Sequence, residues 1–124
     1  MISNTNIHLA LPVNNLQKAM DFYGNTLGLN IVDENPNGVW YQMGQVRFAV
    51  YESKVAGTNQ GTAAIIEVVD PEAEVKALKS RGVKFEHYDE PNMHRKGDIH
   101  TVKSFRAAWF KDPSGNLICI GSYL

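Results

Sequence analysis

With 124 residues, a formal net charge of -1 and 44% hydrophobic residues, the chain is sized for one domain that buries about two-thirds of its unfolded surface. The near-neutral balance gives no electrostatic reason to expect nucleic acid or an anionic membrane as partner, which leaves a small organic ligand as the default. A single cysteine rules out an intramolecular disulfide. No run reaches the ~20 apolar residues of a membrane span, and the N-terminus lacks a basic start and an apolar run of signal length, so the expected location is the cytoplasm.

In chain order, residues 7–13 read as a strand in which Leu9, Leu11 and Val13 alternate with Ala10 and Pro12. Leu16, Ala19, Met20, Tyr23 and Leu27 then recur at helical spacing over 16–27, and Gly28 is the expected stop. Strands follow at 30–34, 39–43 and 46–52. The scheme then repeats. Ala64, Ile66 and Val68 alternate, Asp70 is a candidate N-cap with Pro71 at the first helical position, and Val75 and Leu78 precede Gly82. Lys79, Arg81 and Lys84 surround that helix exit, where cations favour the negative dipole end. A strand is expected over 84–88 and an irregular stretch over 89–103. Two closing apolar runs are joined by the turn Asp112, Pro113, Ser114, Gly115, Asn116.

Val68 lies 55 residues after Val13, and Gly82 lies 54 after Gly28. The expected fold class is therefore α+β, with two βαβββ modules over about 1–57 and 58–124. One such module exposes an apolar sheet face that its twin can cover, so the modules are expected to form one curled mixed sheet with helices outside and a concave ligand cavity. The opening IHLALPVNNLQKAMDFYGNTLGL and the closing AAWFKDPSGNLICI, with the repeat between them, resemble the vicinal oxygen chelate superfamily, which includes glyoxalase I, extradiol dioxygenases and bleomycin resistance proteins. The resemblance spans the chain. It implies the fold and leaves the activity open, because one scaffold hosts many chemistries.

Metal-using members take one ligand from the first strand and one from the last strand of each module. His8 matches the first position, but the repeat offset carries it onto Ala63, and the last-strand positions hold Ala49 and Cys119. One imidazole and one thiol fall short of the three protein ligands of a catalytic zinc site, so no metal or other cofactor is expected. Cys119 reads as a small buried hydrophobe, with ligand or nucleophile as the alternatives and a place in the substrate-binding set, and His8 as a hydrogen-bonded residue or a catalytic acid/base group. His87, His94 and His100 surround the 89–103 stretch and read as surface loop residues or as groups that fold over the cavity, and the stretch is similar to the lid region of small glyoxalase-like proteins.

If Phe48 and Val50 face the helices, Arg47, Ala49 and Tyr51 face the cavity, and the same period puts Ala63, Ile65 and Glu67 there. An inward Glu67 calls for a partner, for which Arg47 is the candidate. Trp40 joins them as an aromatic wall or as a filler of the sheet interior, and either Trp109 or Phe110 enters the cavity. The expected substrate-binding set is thus Trp40, Arg47, Tyr51, Glu67 and Cys119, with His8 as the catalytic candidate. Three functions follow from the resemblance: a metal-independent protein that binds or transforms a small, aromatic molecule; a metal-dependent lyase or dioxygenase in which His8 and Cys119 recruit a histidine from the lid or a second subunit; and sequestration of a drug or metabolite without catalysis. Relatives that bind a cationic drug look acidic, which this chain is not. Relatives with short modules pair, so a homodimer is the expected assembly.

Overall fold

A computed structural model describes residues 1–123. The chain forms two compact units, one of Met1–Asn59 with Pro113–Asn116 and the other of Gln60–Asp112 with the chain from Leu117 onward. The fold class is α+β. Hydrogen bonding groups the strands into two sheets, one in each unit, where the repeat predicts one curled sheet. The reason is local: the first strand of each module pairs with the last strand of its own module and then ends the ladder.

The first unit runs β1 (Leu9–Val13), α1 (Leu16–Met20), β2 (Asn30–Asn35), β3 (Gly38–Met43) and β4 (Val46–Glu52). Sheet order is β1-β4-β3-β2, with β1 parallel to β4 and the other pairs antiparallel. Asn15 caps α1 by accepting the Lys18 N–H at 2.9 Å. The helix expected over 16–27 keeps α geometry only through Met20. Asp21–Thr26 widens into a π-helix, with Leu27 N–H donating to the Phe22 carbonyl, and the chain turns at Gly28 with φ 77°. Ala19 and Tyr23 still reach the core, where the Tyr23 ring lies 4.9 Å from Phe48 and 6.2 Å from Tyr41, beside buried Leu11, Val13, Val39 and Val50.

The second unit runs β5 (Thr62–Glu67), α2 (Pro71–Ser80), β6 (Phe85–Glu86), β7 (His94–Lys96), β8 (Ile99–Val102), β9 (Phe105–Lys111) and β10 (Leu117–Tyr123). Asp70 caps α2 by accepting the Ala73 N–H at 3.2 Å, with Pro71 in the first turn. The order β5-β10-β9, with β6 on β9, repeats the first sheet strand for strand. Val75 and Leu78 of α2 are buried, as are Ala108, Phe110, Ile118 and Ile120.

The stretch over 89–103 is irregular only through its first five residues. Its strands β7 and β8 form a hairpin that extends the sheet beyond β9, closed by Gly97 and Asp98, with Gly97 at φ 63°. Gly-Asp between two short extended runs is a two-residue hairpin turn, because glycine supplies the positive φ that such turns require.

Candidate functional site

In the first unit, period two divides the sheet into a helix-covered face and a second face whose residues align in rows across the strands. Arg47 pairs with Gln42, and Gln42 with Asn30. Ala10, Ala49, Trp40 and Asp33 make the next row, and Pro12, Tyr51, Gly38 and Asn35 the third. His8 joins the first row, since its Nδ1 accepts the Arg47 main-chain N–H at 2.9 Å. Its ring stands edge-on to Trp40, with centroids 6.5 Å apart and an 88° angle between planes. His8, Arg47 and Tyr51 are exposed and Trp40 is half-buried. The two alanines leave a low floor bounded by imidazole, guanidinium, indole and phenol. Four of the sequence-selected residues therefore share one face of one sheet.

The other two lie in the second unit. Glu67 ends β5 and is exposed, so solvent takes the place of the partner that an inward carboxylate would need. Cys119 sits on β10 between Ile65 of β5 and Trp109 of β9 in register, and is 1% exposed. Burial pushes its thiol pKa up to about 12, and its Sγ–H contacts the Ile120 carbonyl at 3.7 Å. It is therefore an inert thiol at neutral pH. Trp109 takes the same face as Cys119, donating its indole N–H to Thr62 Oγ1 at 3.1 Å, whereas Phe110 is fully buried in the core.

His100 is not a surface residue. It lies on β8, fully buried, with its ring 5.0 Å from Trp109 and 5.8 Å from Tyr88. Its Nε2 accepts the Tyr88 N–H at 2.9 Å, which leaves the ring proton on Nδ1, a buried atom that makes no well-aligned hydrogen bond among the described residues. Burial holds the pKa of His100 below its usual value, partly opposed by the nearby carbonyls of Ala107 and Asp98. His87 is exposed and pairs with Asp98 Oδ1 at 2.7 Å, while Lys79 holds Oδ2 at 2.8 Å. The Tyr88, His100 and Trp109 cluster was missed in the sequence, although the Gly97-Asp98 turn signals the hairpin that buries His100. A hollow of about 460 Å³ on the helix side of this sheet is lined by Glu72, His94, Lys96, Ile99, Thr101 and Arg106, with Arg106 and Glu72 paired to each other.

A divalent metal in the superfamily's manner does not fit these residues. A main-chain N–H can only donate, so His8 Nδ1 presents its lone pair to Arg47, and the neutral ring carries its proton on Nε2. A metal-bound histidine has the reverse arrangement, ligating through one nitrogen and donating the N–H of the other. Ala49 and Ala63 have no donor atoms and the Cys119 thiol is held protonated. Among the described residues, no three His, Cys, Asp or Glu side chains converge on a common point. Nor is any described helix long and apolar enough to cross a membrane.

No curated protein matches the chain by sequence. Solved structures do match it in fold. A lactoylglutathione lyase from Agrobacterium tumefaciens superposes with TM-score 0.72 at 17% identity, covering 96% of this chain and 93% of its own. TnmS3, an antibiotic binding protein from Streptomyces sp. CB03234, gives 0.70 at 21% identity with both chains fully covered. A bleomycin-binding protein complexed with bleomycin gives 0.73 at 17% identity, covering 98% of this chain and 100% of its own. The sequence profile of one family matches residues 7–120, nearly the whole chain, and on that match this protein belongs to the Glyoxalase/Bleomycin resistance protein/Dioxygenase superfamily.

Proposed function

We propose that this protein binds a small organic molecule with a planar aromatic part on the second face of the first sheet, the one not covered by α1, and does so without a divalent metal. The observation that carries this reading is the convergence of His8, Trp40, Arg47 and Tyr51 around the Ala10 and Ala49 floor, with His8 turned so that Nε2 bears a proton. A flat apolar floor beside an indole accepts a ring, and a few oriented polar groups at its border fix the ring's direction. The fold likeness to a bleomycin-binding protein and to an antibiotic binding protein supports binding as the activity. Glu67, an exposed carboxylate at the end of β5 in the second sheet, stays a proposed substrate contact by itself. A homodimer in the cytoplasm is the proposed setting, and light scattering on the purified protein tests the assembly.

The experiment is a thermal-shift screen of planar aromatic compounds, run in parallel with EDTA and with added zinc. Compounds that raise Tm equally in both conditions, and lose the effect in Trp40→Ala, support the reading. Stabilisation that requires zinc and disappears in His8→Ala would instead make His8 a metal ligand and direct assays to the metal-dependent lyase or dioxygenase reading.

A further inference from the structure

The rows across the first sheet constrain the charge of the ligand as well as its shape, and this step rests on the binding reading above. His8 Nδ1 is occupied by the Arg47 N–H, so the ring's remaining polar atom is an N–H donor at Nε2. The Arg47 side chain projects onto the same face as Ala49 and Tyr51, two and four residues on. Among the described residues of the first unit, no carboxylate lies within ion-pair distance of its guanidinium. Gln42, the next group in the row, turns its amide Nε2 onto the Gly44 carbonyl at 2.8 Å. The carboxylate on this face is Asp33, on the edge strand beyond Trp40, with Oδ1 already accepting the Glu34 N–H at 2.9 Å. The His8 and Arg47 end of the floor thus offers two kinds of donor and a permanent positive charge, with the single acid beyond the indole.

We infer that His8 is a fixed hydrogen-bond donor which, with Arg47, receives the anionic group of a planar aromatic ligand such as an aryl carboxylate, and is neither a metal ligand nor a general base in this arrangement. The Arg47 residue acts twice. Its main chain sets the His8 tautomer, and its side chain supplies the charge, so the two roles separate by mutation. Arg47→Gln keeps the N–H and therefore the tautomer, but removes the guanidinium.

The test is long-range ¹H–¹⁵N correlation of the histidine rings, with His8 assigned by its loss in His8→Gln. The expected pattern is an Nε2–H tautomer at His8, unchanged by excess Zn²⁺. Adding 2-naphthoate shifts the His8 Nε2 resonance saturably, whereas the cation 2-naphthamidine of similar shape does not. Arg47→Gln keeps the tautomer and weakens 2-naphthoate about tenfold or more, the loss of a charge-assisted hydrogen bond. An Nδ1–H tautomer, or coordination of Zn²⁺ by His8, overturns the donor role while leaving ligand binding by this face intact. Preference for the cation overturns the ligand class alone. Binding of neither probe at millimolar concentration overturns the ligand class and counts against the binding face itself.

Discussion

The side-chain amide of Asn116 donates to the main-chain carbonyl of Pro12 at 2.8 Å, across 104 residues of sequence. Beside it, Ser114 Oγ accepts the Asn14 N–H at 3.0 Å and donates to Asn14 Oδ1 at 3.1 Å. Both turn residues are buried, so truncation leaves a main-chain group without its partner. Asn116→Ala is expected to lower stability by about 1–3 kcal/mol, and Ser114→Ala by about 1 kcal/mol, in urea unfolding.

Gly57 approaches the same turn with φ 79°, and a Cβ there would collide with the Ser114 carbonyl. Gly57→Ala therefore meets both backbone strain and a clash with main chain that cannot swing aside. The expected cost is about 1–3 kcal/mol, read as a lower urea midpoint with an unchanged m-value.

Two groups, His100 and Asp98, contribute to the acid response in separate windows. The folded pKa of His100 lies below 6.5 because of burial, so as pH falls the unfolded chain takes up the proton first. Stability is complete above about pH 6.5 and declines below it. His100→Gln removes this dependence, so melting curves of wild type and variant should diverge in slope between pH 7 and 5. The Asp98 carboxyl is held below 3.8 by its hydrogen bond to Lys79, opposed by burial and aided by His87. Its stabilisation is present above pH 3.8 and is lost as pH falls through the folded value, a separate and lower window. Asp98→Asn should therefore flatten the acid limb without affecting the decline that begins near pH 6.5.

Cys119 should resist alkylation. A buried thiol with pKa near 12 offers almost no thiolate at pH 8, so iodoacetamide should leave the native protein unlabelled over hours and label it within minutes in denaturant. Rapid labelling of the native state would show the β10 site to be open.

The repeat made the strands and α2 legible, down to the Asp70 cap, because alternation and capping are local signals. The same period puts Arg47, Ala49 and Tyr51 on one face, as the β3–β4 register does. The π-helical turn was not legible. Across a dozen residues, Leu16, Tyr23 and Leu27 fit a helix whether or not one turn holds an extra residue. The β7–β8 hairpin escaped because His94–Lys96 is wholly polar and too short for alternation to register, and with it went the burial of His100. The His8 tautomer lay beyond the sequence altogether, since it depends on one hydrogen bond between residues 39 apart.

The chain has two tryptophans, so its indole N–H spectrum holds two signals, and the Trp109→Phe variant assigns the one from Trp40. The most direct measurement titrates 2-naphthoate into ¹⁵N-tryptophan protein in EDTA and follows the Trp40 resonance. A saturable shift, with a midpoint that moves about tenfold higher in Arg47→Gln, is the predicted result. A Trp40 signal that stays still in EDTA and moves only after zinc is restored would contradict metal-free binding on this face.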